Sequence, residues 1–120
     1  MKSQTLTLDY LPTDQNTYFN AERTNRFKAA EIKKTETASA MYACRQQRLK
    51  PMVGPVKIIF HWHLVNKRKD PDNICFAKKF ILDGIVEAEV LKNDNLRFIT
   101  GFEDHFIVTG QEKVVVTLII

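Results

Sequence analysis

Two carboxylates stand two residues apart in the middle of this chain, and their setting suggests chemistry. Asp70 and Asp72 follow directly after three cations, Lys67, Arg68 and Lys69. Like charges held this close repel each other unless a positive group lies between them. A hydrated turn is one solution. We favour a metal ion, because the flanking cations suit a phosphate and a further acid, Asp94, follows a short connection later.

Asp70, Asp72 and Asp94 would offer three carboxylate ligands from two connections. Hard oxygen ligands with open water positions suit Mg²⁺, for which Mn²⁺ can substitute. Such a metal activates a water molecule and stabilises charge on a phosphodiester. Lys79 could stabilise the developing negative charge, and the run of cations at 67–69 could hold the DNA backbone. The pattern therefore predicts metal-dependent hydrolysis of a nucleic acid.

The elements that must position these residues are predicted from apolar periodicity. Alternation indicates strands at 4–10, 56–65, 96–109 and 113–120, the third with a bend or bulge at 103–105. Helical composition indicates helices at 27–48 and at 72–89, the second with Asp72 as its N-cap. Residues 11–26 are turn-rich and polar, so we expect a long loop there. The order β-α-β-α-β-β predicts an α+β fold, with two helices layered on a mixed sheet.

The second predicted helix carries a charged stripe. At about 100° per residue, Lys79 and Asp83 share the face of Asp72, and they are four residues apart, so they can pair. Lys78 falls in the apolar sector instead. Its side chain could reach an edge of the helix, or the true start of the helix could shift the faces, and the sequence leaves both explanations open.

Composition describes one soluble globular domain spanning residues 1–120. The hydrophobic fraction of 44% and the charged fraction of 27% are ordinary, and the net charge of +4 favours a polyanionic partner without demanding one. Two cysteines do not make a disulfide framework, so we expect reduced thiols and a cytoplasmic location. No apolar run has the length of a signal peptide or membrane span, so no membrane partner is expected.

Other readings of the same residues fit less well. An Asp-x-Asp start also opens a calcium loop, but Ile74, Cys75 and Ile81 occupy positions that need an oxygen ligand, a glycine and a closing Glu. His61 and His63 share one face of a strand, and we interpret them as half-exposed histidines rather than a metal pair. Cys75 is interpreted as a buried helix residue rather than a nucleophile, because nearby carboxylates raise a thiol pKa.

The combined spacing resembles the RusA family of Holliday junction resolvases, which is common in prophages. The likeness covers residues 66–95: Asp70-Pro71-Asp72-Asn73, then a Lys and an Asp four apart on a helix, then Asn93-Asp94. A weaker likeness follows the first strand, at Pro12, Asn16 and Tyr18. The resemblance implies metal-binding acids at Asp70, Asp72 and Asp94 and a catalytic Lys79. It also implies supporting roles for Asn73 and Asp83, and DNA contacts from Asn16, Lys67, Arg68 and Lys69.

The family also implies a Mg²⁺-dependent homodimer without a small-molecule cofactor, which cuts two opposed strands of a four-way junction in recombination and repair in a bacterial host. This chain departs from the pattern: about three extra residues follow Asn73, which leaves Lys78 as a rival to Lys79, and Asn93 stands where an acid is often found. The apolar strand at 114–120 could be an inner strand or a subunit contact. A non-catalytic DNA-binding module, whose acids only cap a helix and balance local cations, stays open as the alternative.

Overall fold

A computed structural model describes residues 2–120 of the chain. Its four strands are β1 (Ser3–Leu8), β2 (Val56–Leu64), β3 (Ile99–Val108) and β4 (Lys113–Ile119). Its helices are α1 (Gln15–Thr24), α2 (Arg26–Gln46), α3 (Pro71–Cys75) and α4 (Lys78–Glu87). The α+β fold class is confirmed, and all four strands fall where alternation predicts them.

The strands form one mixed sheet in the order β1-β4-β2-β3. β2 and β3 are parallel, whereas β4 runs antiparallel to both of its neighbours, β1 and β2. β4 is thus an inner strand, and its alternate side chains Val114, Val116 and Leu118 are fully buried. Of the two roles that the sequence left open for this strand, the sheet itself accounts for its apolar character.

The core lies on the one face of the sheet that the helices cover. Strand alternation directs every second side chain of β2 to that face. All of these residues are buried: Val56, Ile58, Phe60, Trp62 and Leu64. Residues of α3 and α4 join the same apolar cluster, chiefly Ile74, Ile81 and Ile85. α2 and α4 pack closely because Gly84 has no side chain: a methyl group there would overlap Cβ of Ala40 and lie 2.8 Å from the backbone nitrogen of Met41.

The loop expected at 11–26 is wrong over most of its length, because α1 occupies Gln15–Thr24. Asp14 is its N-cap, and the side chain accepts a hydrogen bond of 2.8 Å from the backbone N–H of Thr17. That bond satisfies one of the donors that a helix start leaves free. The polar composition of the segment hid a helix that buries only Ala21.

The single helix expected at 72–89 is two helices with a tight turn between them. Ala77 and Phe80 donate backbone hydrogen bonds three residues back, to Ile74 and Ala77, both at 3.1 Å. Such bonds wind the chain more tightly than an α-helix does, so α4 presents a different face from the one that a continuous helix would present. The N-cap is Asp70 rather than Asp72, because Pro71 takes the first helical position.

β3 has no bend at 103–105, contrary to the sequence expectation. Its register with β2 is unbroken from the pair Lys57 and Gly101 to the pair Leu64 and Val108, and the one shift lies earlier, between Val56 and Lys57. Within residues 2–120, no helix has both the length and the apolar character that crossing a membrane requires.

Candidate metal and nucleic-acid site

Two connections are fastened to each other at the end of the sheet where β1 and β2 finish. The Oδ1 atom of Asn73 accepts a hydrogen bond of 2.9 Å from the backbone N–H of Asn16. Nearby, the Nζ atom of Lys69 lies 2.9 Å from Oδ2 of Asp14. These contacts join the start of α1 to the start of α3. The supporting role predicted for Asn73 therefore has a structural basis, since Asn73 is buried and ties the two connections together.

Asp70 and Asp72 project from this fastened segment into solvent. Both residues are exposed, and the side chain of Asp70 makes no capping hydrogen bond. Within residues 2–120, neither carboxylate takes part in an ion pair with a cationic side chain. The predicted pair is thus present, close in sequence, exposed, and free of a protein cation that would neutralise it.

The donor set of this pair fits Mg²⁺. This ion is usually held by one or two carboxylates, and waters and substrate phosphates complete its octahedron. Asp70 and Asp72 supply two hard oxygen donors that face solvent, so space remains for water and phosphate. Within residues 2–120 no three His, Cys, Asp or Glu side chains are grouped so that they could hold an ion, so the protein's own share of the site is two carboxylates.

Asp94 lies at the other end of the molecule. Asp70 follows the C-terminal end of β2, whereas Asp94 precedes the N-terminal end of β3, which is parallel to β2. A nine-residue strand spans about 30 Å, so these acids occupy opposite ends of the sheet. Within one chain the structure therefore brings together Asp70 and Asp72 but not Asp94, whose role as a ligand stays a prediction.

The neighbours of Asp94 are charged residues of α4 and α2. It lines a groove of about 680 Å³ together with Lys33, Asp83 and Glu87. Burial raises the pKa of Asp83; Lys33 and Lys79 oppose this rise, and Asp94 and Glu87 add to it. The expected attraction between Lys79 and Asp83 is thus present, in a groove that is remote from Asp70 and Asp72.

Lys78, not Lys79, turns toward the sheet. Its Nζ atom lies 2.6 Å from Oδ2 of Asp104 on β3, and it sits over the rings of Phe60 and Phe102, at 5.1 and 4.6 Å from their centroids. Oδ1 of Asp104 accepts a hydrogen bond of 2.8 Å from the indole of Trp62. The turn between α3 and α4 accounts for the position of Lys78, which a continuous helix left unexplained.

Asp104 is a site residue that the sequence reading missed. Its signal was available: on β3 it alternates with Phe102 and Phe106, so it occupies an inward position where an apolar residue is expected. A carboxylate there needs partners, and it finds them in Lys78 and Trp62. The apparent irregularity at 103–105 thus reflects a polar contact under the helices rather than a bend.

Cys75 connects Asp72 to the Lys78–Asp104 pair. Burial raises the pKa of its thiol to about 11; Asp104 adds to the rise, Lys78 opposes it, and Asp72 adds further. All three charged groups therefore lie near this one side chain, which places Lys78 beside Asp72. A thiol with this pKa is protonated at neutral pH, which agrees with the prediction that Cys75 is not a nucleophile.

The cations at 67–69 have two different fates. Lys69 is engaged with Asp14, whereas Lys67 and Arg68 are exposed and, within residues 2–120, have no acidic partner. The side chain of Asn66 holds the turn by accepting a hydrogen bond from the backbone N–H of Arg68. Asn16 is also exposed at this end. The predicted DNA contacts are therefore near Asp70 and accessible, apart from Lys69.

The histidines lie on the face of the sheet away from the helices. The rings of His61 and His105 stack with centroids 5.0 Å apart, and Nε2 of His105 lies 2.8 Å from Oε2 of Glu103. Burial lowers the pKa of His63, and Lys113 and His61 add to this effect. Together with the grouping result above, these contacts agree with two half-exposed histidines rather than a metal pair. Comparison with protein-family models and with curated proteins finds no match for this chain.

Proposed function

We propose that this protein is a Mg²⁺-dependent endodeoxyribonuclease that acts on branched DNA, four-way junctions included. The observation that carries the proposal is the exposed pair Asp70 and Asp72, unpaired within residues 2–120 and held on a fastened connection. Free cations stand directly beside it. The resemblance of residues 66–95 to the RusA resolvases supports the same activity, substrate and cellular role in recombination and repair.

The chain's own groups would divide the work between holding an ion and holding DNA. Asp70 and Asp72 would hold the ion, and their connection would keep them in place through the Asn73–Asn16 and Lys69–Asp14 contacts. A bound Mg²⁺ would supply an activated water and stabilise charge on the scissile phosphate. Lys67 and Arg68 would neutralise neighbouring phosphates, which positions the strand without reading its sequence.

The lysine nearest to this chemistry is Lys78. It is only 16% exposed and is fixed by Asp104 and two aromatic rings, so its ammonium group is positioned before substrate arrives. A preorganised cation stabilises developing charge at little reorganisation cost. Lys79, the sequence's first choice, is exposed and shares its groove with Asp83 and Asp94. We therefore assign the supporting electrostatic role to Lys78.

A non-catalytic DNA-binding module is the second candidate. The observation in its favour is that residues 2–120 do not group three metal-ligating side chains. On this alternative Asp70 only starts α3, and Lys67 and Arg68 bind DNA without cleaving it. The two candidates share their DNA-binding residues and differ only in what the acids do.

Cleavage of a labelled four-way junction distinguishes them. Wild-type protein is incubated with the junction or with a linear duplex of the same arm sequence, in Mg²⁺, Mn²⁺, Ca²⁺ or EDTA. The nuclease proposal expects paired cuts near the branch point in Mg²⁺ and Mn²⁺, and none in EDTA. Junction binding without cuts in Mg²⁺ or Mn²⁺ would contradict the nuclease and support the binding module.

A further inference from the structure

Of the two edges of the sheet, only β1 is protected against pairing. At β1 the side chain of Gln47 both accepts from the N–H of Thr7, at 2.9 Å, and donates to its carbonyl, at 2.6 Å. Native proteins commonly block edge strands in this manner, because free N–H and C=O groups invite another strand. β3, the opposite edge, is ten residues long, and within residues 2–120 no strand pairs with its outer side.

The groups that β3 leaves free can be identified from its register. The backbone N–H of Thr109 donates to Leu64 of β2, so odd-numbered residues of this regular ladder direct their backbone groups toward β2. Even-numbered residues direct theirs outward. The unpaired N–H and C=O groups therefore belong to Phe102, Asp104, Phe106 and Val108. The same residues have exposed apolar side chains, with Phe102 46% and Phe106 39% exposed.

β3 is complementary to itself in the antiparallel sense. With a two-fold axis at Asp104, the outward residues align as hydrogen-bonded pairs, and Phe102 lies opposite Phe106 of the partner subunit. On the other face Glu103 lies opposite His105 of the partner subunit. Opposite charges and aromatic pairs stabilise facing positions on neighbouring strands. Moving the axis to His105 would instead oppose Asp104 to Phe106 of the partner subunit, which loses both kinds of match.

The axis also brings Asp104 next to Asp104 of the partner subunit, which would be unfavourable for bare carboxylates. Each one is already engaged by its own Lys78 at 2.6 Å and its own Trp62 at 2.8 Å. The axis is therefore surrounded by two ion pairs of zero net charge rather than by two free anions. The Lys78–Asp104 contact thus suits β3 for pairing with itself.

Antiparallel pairing has a consequence for the acids that one chain keeps apart. It places the start of β3 beside the end of the partner's β3, which lies next to the end of the partner's β2. The turn that carries Asp94 then reaches the end of the combined sheet where the partner's Asp70 and Asp72 emerge. Two-fold symmetry repeats the arrangement, so a dimer has two such meeting points.

We infer that β3 pairs with β3 of a second copy of this chain, and that each acidic site is shared, with Asp70 and Asp72 from one subunit and Asp94 from the other. The shared site rests on the proposed nuclease function, whereas the strand pairing does not. Phe102, Phe106 and Val108, exposed in the single chain, would be covered by the contact. Two cuts on opposed strands would follow from the two equivalent sites.

Disulfide cross-linking tests the strand pairing. Chains with Glu103→Cys are mixed with chains with His105→Cys and oxidised; these positions face each other across the axis, whereas position 103 and its own copy are offset by two residues. We expect covalent dimers to form several-fold faster in the mixture than in either variant alone. Thr5→Cys, at the blocked edge, and the wild-type chain, whose thiols burial keeps protonated with a pKa of about 11, are the controls. Absence of this preference would overturn the pairing.

Exchanging the facing charges gives an independent measurement. Glu103→His places two histidines opposite each other twice per dimer and should raise the dimer dissociation constant by roughly 2- to 30-fold. Adding His105→Glu to the same chain restores an acid opposite a histidine and should recover most of the loss. Analytical ultracentrifugation over a concentration series reads both changes. An equal loss in the single and double variants would contradict the register.

Complementation between two inactive variants tests the shared site. Asp72→Asn and Asp94→Asn chains are co-expressed with different tags, and the heterodimer is isolated. If acids are shared across the axis, one site loses both residues and the other is intact, so the heterodimer nicks a junction at about half the wild-type site activity. If each site lies in one chain, both sites are damaged and the heterodimer is inactive, which overturns the inference. Full cleavage by the Asp94→Asn homodimer would overturn it too.

The outcomes separate this inference from the proposed function. Wild-type protein that never cuts a junction would defeat the nuclease and with it the shared site, while the cross-linking result would still decide the pairing of β3. Wild-type protein that cuts, together with an inactive heterodimer, would keep the nuclease and defeat only the shared site.

Discussion

The Nζ atom of Lys78 lies 2.6 Å from Oδ2 of Asp104, and this contact joins the first turn of α4 to the middle of an edge strand. The Lys78 and Asp104 side chains are only 16% and 21% exposed, so neither charge is well solvated if the other is lost. Removing one member of a shielded pair leaves an uncompensated charge. The contact should therefore contribute to stability as well as to the site.

A double-mutant cycle measures that contribution. Lys78→Met or Asp104→Asn alone should lower the free energy of unfolding by about 1–3 kcal/mol, less than for a fully buried pair because both groups keep some solvent. The double variant should lose clearly less than the sum of the two. Lys79→Met, a change of the same kind at the exposed neighbour, should cost no more than about 0.5 kcal/mol. Additive losses in urea unfolding would show that the pair is not coupled.

The two lysines should also differ in catalysis. Lys78→Arg keeps a cation near Asp72, whereas Lys78→Met removes it, so cleavage should fall by about 10²–10³-fold in Lys78→Met and recover in part in Lys78→Arg. Junction affinity should change little, since one partly buried cation makes few phosphate contacts. Single-turnover cleavage at saturating protein separates these effects. A larger loss in Lys79→Met than in Lys78→Met would return the role to Lys79.

Binding of the junction should weaken steeply with salt, because phosphate contacts release counterions. Replacing Lys67 and Arg68 by Ala should lower the slope of log affinity against log salt by about two. The double change Lys34→Ala and Arg45→Ala, at exposed cations of α2, is the matched control and should leave the slope unchanged. Equal effects from the two double variants would mean that the basic run near Asp70 does not contact the DNA backbone.

The ion pair that fastens the two connections predicts a pH dependence of stability. Burial alone would raise the pKa of Asp14, but hydrogen bonds from Lys69 and Thr17 outweigh it and hold the pKa below the usual 3.8. A depressed pKa contributes stability that is complete above the unfolded value and is lost as pH falls through the folded one. The unfolding free energies of wild type and Asp14→Asn should therefore converge on acidification below about pH 4. A difference that stays constant down to pH 3 would contradict this.

Much of the sheet could be predicted because period-two alternation survives in β2 and β4, where one face is fully buried. α1 could not, because it buries a single alanine and its polar residues resemble a loop. The N-cap at Asp14 was the one local signal for it. The break between α3 and α4 was hidden for a different reason: helix-forming residues run through Phe76 and Ala77, and only the tertiary contact of Lys78 with Asp104 shows where the face turns.

Part of the candidate site could be predicted as well. Asp70, Asp72, Lys67 and Arg68 lie together because they are close in sequence and share one connection. Whether Asp94 joins them depends on the strand order and on the parallel pairing of β2 with β3, which spacing along the chain does not encode. Asp104 was missed because its partners, Trp62 and Lys78, are 42 and 26 residues away.

The most direct measurement of the central claim is junction cleavage by Asp70→Asn and Asp72→Asn beside a matched control. Glu31→Gln removes an equal charge from an exposed site on α2. The account predicts that both Asp variants bind the junction as well as wild type or better, since they repel phosphate less, yet cut at least about 10²-fold more slowly in Mg²⁺, while Glu31→Gln cuts at the wild-type rate. Wild-type cleavage by either Asp variant would contradict the assignment of these carboxylates to the metal.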